Sequence, residues 1–233
     1  MPGLNNIIVL LILLAGAVFS IGWKKLTVPA ALAGGVAGWL VYAGGGYTGL
    51  VMLTSFFILG TAATSWQKKK KGAAAQSTRT MTQVLANGGV AALAGLGIIF
   101  FPAARHPLEL AMAGSLASAT ADTLSSELGM VYGRRYYNIL TLKPDQRGLD
   151  GVVSIEGLLI GVAGSAVIAL LFAASHGWHA DGWIIILSGT IGNLVDSLLG
   201  AALERRSYIK NDMVNFLNTL AAGALAALLS IPS

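Results

Sequence analysis

Three aspartates lie in or directly beside long apolar stretches of this chain. Asp122 lies in TADTLSSELG, Asp196 in GTIGNLVDSLLG and Asp212 in NDMVNFLNT. An ionised aspartate inside a membrane-spanning helix costs about 2.5–3.5 kcal/mol on insertion scales. Three helices that carry this cost towards one membrane face suggest a shared polar cavity. The alternative is that these residues only form hydrogen bonds between helices.

Small and polar residues accompany each aspartate at helical spacing. Asp122 shares its face with Ser118 and Gly129, whereas Glu127 lies off that face. The residues that accompany the other two aspartates include Asn193, Asn211, Asn215 and Asn218. Carboxylates beside asparagines suit a hard cation, because Mg²⁺ takes one or two carboxylates together with waters and substrate phosphates. We therefore predict three catalytic residues, Asp122, Asp196 and Asp212, which together with Glu127 hold Mg²⁺ or, as a substitute, Mn²⁺.

Basic residues gather at the ends of the same apolar stretches, where phosphates would arrive. The predicted nucleotide and phosphate ligands are Arg134, Arg135, Lys143, Arg147, Ser154, Asn193, Asn211 and Asn215. Lys143 and Arg147 are the stronger basic candidates, because they lie among Gly, Pro and Asp residues instead of directly at the end of an apolar stretch. The alternative is that the charges serve only as a topology signal.

The elements that must position these side chains are membrane-spanning helices. The chain is 55% hydrophobic and only 11% charged, against about 25% charged residues in soluble domains. Eight apolar stretches approach the length of a bilayer span: Leu4–Ile21, Leu26–Tyr42, Tyr47–Ser65, Thr82–Phe101, Leu108–Tyr132, Ser154–Ala174, Gly182–Leu203 and Met213–Ile231. The sequence predicts an all-α, polytopic helix bundle of about eight spans. Seven spans are the alternative, because GGGYTG is a short connection and spans two and three could form one hairpin or a re-entrant pair.

The basic residues also predict the orientation of the bundle. Of the 15 lysines and arginines, 14 fall in alternate loops, and only Arg105 falls in the others. The positive-inside rule makes those four loops cytoplasmic, so both termini lie on the non-cytoplasmic side and the site faces the cytoplasm. The membrane would be the inner (plasma) membrane of a prokaryote or an organelle membrane.

The sequence predicts one integral membrane domain, 1–233, with N-terminal spans and a basic loop in 1–82 and a core carrying the site in 83–233.

The sequence also suggests an internal repeat. A shift of 71 residues aligns SSELGMVYGRRYY with DSLLGAALERRSY at six identical positions. Such a duplication would make spans five and seven parallel repeats, and repeat interfaces in membrane proteins often hold binding sites.

The ordered blocks ADTLSSELG, GNLVDSLLGA and NDMVNFLNT, with a basic Gly-rich loop after the first, resemble domain-of-unknown-function family 92. This family includes the plant phytyl-phosphate kinase of tocopherol synthesis and the animal transmembrane protein 19. The resemblance runs from about Asn87 to the C-terminus. Family members tend to read G-x-x-G-G-V-S where this chain has RGLDGVVS, so Asp150 stands at a usually small position.

A more distant likeness is to membrane CTP-dependent enzymes, namely phytol and dolichol kinases and CDP-diacylglycerol synthase. It rests on Ala121–Asp122, on GRR at 133–135, on Lys143 and on Glu156–Gly157. The resemblance implies a metal role for Asp122 and a phosphate role for Arg134 and Lys143. It implies a kinase of isoprenoid metabolism that transfers the CTP gamma-phosphate to a prenyl monophosphate such as phytyl phosphate.

Two other functions stay open at this point. A transporter or flippase for a phosphorylated lipid or small anion would use the same polar cavity with access from both sides. A lipid-phosphate cytidylyltransferase would release pyrophosphate from CTP. The expected partners are a nucleoside triphosphate, a prenyl phosphate lipid and the membrane, with no nucleic acid; the sequence leaves a homodimer open.

Overall fold

Seven helices form most of the part of the chain that the structure, a computed structural model, describes: residues 3–67, 71 and 78–230. In chain order they are α1 (Leu4–Gly22), α2 (Val28–Ser65), α3 (Met81–Phe100), α4 (Arg105–Tyr132), α5 (Ile155–His176), α6 (Ala180–Leu199) and α7 (Asn211–Leu229). A π-helical turn, Gly200–Glu204, extends α6. Most of the basic stretch predicted between spans three and four, at 68–70 and 72–77, lies outside the described residues.

Helix α2 reverses direction at Gly46, whose backbone has φ 63° and ψ −156°. A straight helix of 38 residues would be about 57 Å long. Instead, Lys25 Nζ, just before the helix, donates to Ser65 Oγ at its last residue, at 2.8 Å. The two halves run in opposite directions along α3, as these facing pairs show: Gly34 and Val84, Leu40 and Gly95, Leu53 and Gly88, Gly60 and Arg79. The predicted spans two and three are therefore two arms of a hairpin.

Helix α4 lies at the centre of the bundle and packs against α2, α3, α5, α6 and α7. Leu110, Met112 and Leu116 are fully buried on it. Small residues bring its neighbours close: a Cβ on Gly189 would lie 2.7 Å from Ala117 Cβ, and one on Gly114 would lie 2.7 Å from Ala226 Cβ. Close approach of backbones through small residues is typical of packing between membrane helices.

The connection between α4 and α5 contains two short strands that the all-α prediction missed. Strand β1 (Tyr137–Asn138) pairs antiparallel with β2 (Val152–Val153). Between them, Gly148 and Gly151 have positive φ values of 83° and 72°. A Cβ on Gly151 would collide with the backbone of Ala201, so this loop lies directly against the π-helical turn after α6.

Six of the described helices are long and apolar enough to cross a membrane, by length and composition. Helix α4 is not among them, although the sequence predicts a span there. It carries Asp122 and a series of hydroxyl residues, and these lower its hydropathy. The all-α helix bundle is confirmed. The number of crossings, the side of the termini and the internal duplication stay predictions, although α4 and α6 do lie side by side and parallel, with Ala117 facing Gly189.

Candidate active site

A polar cavity of about 310 Å³ opens where the ends of α2, α4 and α6 meet the starts of α3 and α7. The loop 148–154 forms one of its walls. Its carboxylate side chains are Asp122, Glu127, Asp150, Asp196 and Glu204, and its amide side chains are Gln83, Asn87, Asn193, Asn211 and Asn215. The cavity is therefore rich in oxygen ligands and carries a negative charge on the side of α4 and α6.

Asp122 of α4 and Asp196 of α6 are close enough to share a hydrogen bond. Their helices approach so closely at Gly192 that a Cβ there would collide with Ser118. The charge of Glu204 also acts on Asp122. Two adjacent carboxylates repel each other when both are ionised, so such a pair needs either a proton or a cation between its oxygens. The sequence prediction that brought these two aspartates into one cavity agrees with this geometry.

A buried amide orients this pair. Asn218 of α7 is fully buried, and its Nδ2 donates to Asp196 Oδ1 at 2.6 Å. Asn218 Oδ1 in turn accepts from Ser118 Oγ at 3.1 Å. One oxygen of Asp196 is therefore fixed by a hydrogen-bonded chain from α4 through α7. Asn218 was not among the predicted site residues, although it lies on the polar face of NDMVNFLNT.

The donor set fits a magnesium ion that keeps waters or phosphate oxygens as ligands. Among the described residues, no three His, Cys, Asp or Glu side chains converge as a ready cage for a metal ion. Mg²⁺ does not require such a cage, because one or two carboxylates with waters and phosphates are sufficient. Asp122 and Asp196 supply two carboxylates, and Asn193 supplies a buried amide beside them.

Glu127 lines the cavity but is engaged in an ion pair. Its Oε2 lies 2.7 Å from Lys71 Nζ, and the lysine side chain is completely buried. Lys71 also donates to the carbonyl oxygen of Ala63 at 2.5 Å. The predicted metal role of Glu127 stays a prediction, and the ion pair gives this residue a second role in joining α4 to the end of α2.

The four predicted basic ligands, Arg134, Arg135, Lys143 and Arg147, are all exposed and do not line the cavity. Arg147 Nη1 donates to the carbonyl oxygen of Met130 at 3.1 Å. Their phosphate-binding role stays a prediction that this arrangement does not support. The pairing of β1 with β2 folds residues 137–153 into a compact, hairpin-like loop. Asp150 of this loop lines the cavity, whereas none of the four basic residues does.

Two other basic residues line the cavity instead, Lys25 and Arg79. The Arg79 guanidinium lies 5.4 Å from the centre of the Phe56 ring. Desolvation lowers the pKa of Arg79, whereas the negative charges of Glu127 and Asp122 raise it. Both residues precede the segment 83–233 to which the sequence analysis assigned the site.

The remaining predicted residues divide between the cavity and its surroundings. Ser154 is buried and caps α5, since its Oγ accepts from Gly157 N at 3.1 Å. Asn215 Nδ2 donates to Asn211 Oδ1 at 3.1 Å, and both side chains line the cavity. Asp212 is outside the lining but close enough for its charge to act on Glu204. Its predicted catalytic and metal roles stay predictions.

Four charged cavity residues, Lys25, Arg79, Asp150 and Glu204, were missed by the prediction. Asp150 carried a signal, because it occupies a position that is usually small in the resembling family. Glu204 lies in the sequence LERR, about one helical turn after the end of the GTIGNLVDSLLG stretch that contains Asp196. Arg79 was interpreted only as a topology charge, and nothing in its local sequence separates it from the lysines before it.

The fold and the cavity define an all-α membrane protein with a charged site inside its helix bundle. The chain belongs to the family described as integral membrane protein DUF92, whose model matches residues 11–223. This confirms the resemblance found in the sequence and extends it to most of the first two helices. The protein is therefore an integral membrane protein, while the kind of membrane and the side that the site faces stay predictions.

Similar proteins occur in archaea, cyanobacteria and plants. An uncharacterized membrane protein of Methanocaldococcus jannaschii is 36% identical over 194 residues, which cover 79% of this chain and 77% of that protein. An uncharacterized membrane protein of Synechocystis is 33% identical, covering 97% and 90% of the two chains. The chloroplastic protein VTE6 of Arabidopsis thaliana is 28% identical, covering 97% and 69%. No solved structure matches the chain significantly.

Proposed function

We propose that this protein is a membrane kinase that transfers the terminal phosphate of a nucleoside triphosphate to a prenyl monophosphate, giving the prenyl diphosphate. The observation that carries the proposal is the contact between the carboxylates of Asp122 and Asp196 in a cavity that Arg79 and Lys25 also line. CTP as the donor and phytyl phosphate as the acceptor come from the family resemblance alone.

The chemistry requires little beyond positioning and charge neutralisation. The bond between the terminal phosphorus and the bridging oxygen of the donor breaks, and a new bond forms to an oxygen of the lipid phosphate. The products are a nucleoside diphosphate and a prenyl diphosphate. Mg²⁺, when bound, would neutralise the donor phosphates and bring them into line with the acceptor.

Each group of side chains has a distinct part in this proposal. Asp122 and Asp196 hold the cation, and Asn218 fixes the orientation of Asp196. Asn193 and Asn215 offer amide groups to waters or phosphate oxygens in the same cavity. Arg79 binds phosphate near the start of α3, where its guanidinium offers two parallel donors.

The direct test incubates the purified protein in nanodiscs with Mg²⁺, each labelled nucleoside triphosphate and a panel of prenyl monophosphates. Asp122→Asn and Asp196→Asn should each reduce turnover by about 100-fold or more, because a catalytic metal contributes several kcal/mol. Asp181→Asn is the matched control. Asp181 also lies in α6, but near its other end, where it contacts His106 Nε2 at 3.1 Å, and its loss should leave turnover unchanged.

The products separate the proposed function from its alternatives. Release of a nucleoside diphosphate with a prenyl diphosphate supports the kinase. Release of pyrophosphate indicates the lipid-phosphate cytidylyltransferase, and movement of a lipid phosphate between leaflets without any transfer indicates the transporter. Turnover that survives both aspartate substitutions in folded protein would refute the assignment of the site.

A further inference from the structure

A second cavity, an apolar groove of about 190 Å³, lies between α1, the two arms of α2 and α3. Its walls are mainly aliphatic and glycine residues, with Phe56 and Phe57. It shares three lining residues with the polar cavity, namely Arg79, Gln83 and Asn87. The two cavities therefore meet, and one side of the junction is apolar while the other is charged.

Arg79 brings a positive charge to this junction. Its backbone is fixed from both sides: Arg79 N donates to Lys25 O at 2.9 Å, and Thr27 N donates to Arg79 O at 3.1 Å. Among the residues that the structure describes, no carboxylate oxygen lies within 4.0 Å of the Arg79 guanidinium. The charges of Glu127 and Asp122 act on it from a greater distance. A partly desolvated guanidinium in this position favours an anion between these groups.

Asn87 is an independent sign of a ligand at the same place. The residue is 9% exposed. Its Nδ2 donates to Gln83 O at 2.9 Å, but its Oδ1 is buried with no hydrogen-bond partner in the described part of the chain. A buried acceptor left without a donor costs about 1–3 kcal/mol. The hydroxyl of a monoprotonated phosphate is a donor of the required kind.

We propose that the apolar groove binds the isoprenoid chain of a lipid monophosphate and that Arg79 binds its phosphate at the junction. The identity of the lipid rests on the proposed function. The location rests on charge complementarity, because the groove offers apolar walls to a hydrocarbon and ends at a cation and a buried acceptor. A phosphate on Arg79 lies on the side of the polar cavity that faces Thr123 and Asp122 of α4. This inference gives the acceptor lipid its own site, apart from the carboxylates proposed to bind the cation.

Two glycines allow the groove to be filled without disturbing the backbone. Gly16 and Gly35 both line the groove, and neither has another group within 4 Å of the position that a Cβ would take. Gly16→Leu and Gly35→Leu should therefore project a side chain into the space for the hydrocarbon. Gly89→Leu in α3 is the matched control, since Gly89 has the same open surroundings and lines neither cavity.

The test measures binding without any nucleotide, with radiolabelled phytyl monophosphate and a five-carbon prenyl monophosphate as probes on protein in nanodiscs. Gly16→Leu and Gly35→Leu should each weaken binding of the phytyl probe by about tenfold or more, which corresponds to roughly two buried methylenes. Binding of the five-carbon probe should change by less than about twofold. Arg79→Gln should weaken both probes, and Gly89→Leu neither.

The comparison of the two probes is internal to each variant, so a general loss of folding cannot imitate the expected pattern. If both glycine variants bind the phytyl probe as the wild type does, or lose both probes equally, the groove does not hold the chain. If Arg79→Gln binds both probes normally, the phosphate lies elsewhere. If the binding pattern is found but no phosphate transfer occurs with any nucleotide, the kinase proposal fails while the lipid site stands.

Discussion

Replacing Asn218 with leucine should weaken the cation site without removing a carboxylate. Asn218 Nδ2 donates to Asp196 Oδ1 at 2.6 Å, and its Oδ1 accepts from Ser118 Oγ at 3.1 Å. Leucine has the branched shape of asparagine and the same number of side-chain heavy atoms, although its methyl groups are bulkier than the amide oxygen and nitrogen. Asn218→Leu therefore removes both hydrogen bonds while keeping the branched shape of the side chain.

The magnitude follows from the kind of bond that is lost. A hydrogen bond to a charged group contributes about 1.5–3 kcal/mol, and about 1.36 kcal/mol corresponds to a factor of ten. We therefore expect affinity for the cation to fall by about 10- to 150-fold, which overlaps the range of about 10- to 100-fold typical for groups that orient a metal ligand. Stability should also fall by about 1–3 kcal/mol, because Ser118 Oγ loses its acceptor in a buried position.

Titration with Mn²⁺ followed by EPR measures this affinity in nanodiscs without requiring turnover. Ser188→Ala is the control, because Ser188 Oγ is buried with no hydrogen-bond partner among the described residues. A cycle with Ser118→Ala should show a coupling energy above about 0.5 kcal/mol, as expected within one hydrogen-bonded chain. If Asn218→Leu binds Mn²⁺ with wild-type affinity and the two substitutions are additive, Asn218 does not orient Asp196.

Gly46→Ala should lower the free energy of unfolding by about 1–3 kcal/mol in a detergent titration, because φ 63° with ψ −156° is a region that only glycine adopts readily. Gly22→Ala, which meets open space, should change it by less than about 0.5 kcal/mol, and equal effects would contradict the strained reversal. Hydrogen bonds from Arg205 lower the pKa of Asp145 from 3.8 to about 2. Because the pKa of Asp145 is lower in the folded state, the ion pair stabilises the fold fully at pH values above the unfolded-state pKa. This stabilisation is lost only as the pH falls towards 2. A carbon NMR titration of Asp145 should therefore have its midpoint near 2, and Arg205→Gln should raise it; a wild-type midpoint near 3.8 would refute the contact.

The lengths of the apolar stretches and the helical spacing of polar residues were sufficient to predict the helices and to bring Asp122 and Asp196 into one cavity. The apolar stretches end close to the observed helix ends, because the same polar and charged residues terminate the apolar stretch and the helix. The phase of α4 and α6 directs Asp122 and Asp196 towards a common interface, and it separates Asp122 from Glu127. The reversal at Gly46 was also visible, since three consecutive glycines allow a turn that other residues resist.

The loops could not be predicted in the same way. A loop residue reaches a cavity through packing between segments that are distant in sequence, and no local period records such packing. Asp150 lines the cavity because Gly151 packs on the turn after α6, and Arg79 does so because its backbone pairs with Lys25 and Thr27. Lys143 and Arg147 were the stronger basic candidates because they lie among Gly, Pro and Asp residues, yet the loop leaves them exposed, as it does Arg134 and Arg135.

Opposite charges are arranged in two ways in and beside the polar cavity, either in direct contact or apart, and the separated charges indicate where a ligand would bind. Lys71 and Glu127 are in contact at 2.7 Å and neutralise each other. Arg79 and Asp122 influence each other without forming an ion pair. A direct contact between Arg79 and Asp122 would cancel both charges and fill the cavity. Their separation leaves a positive charge near α3 and negative charges near α4 and α6. In the function that we propose, a phosphate with its metal ion binds between them.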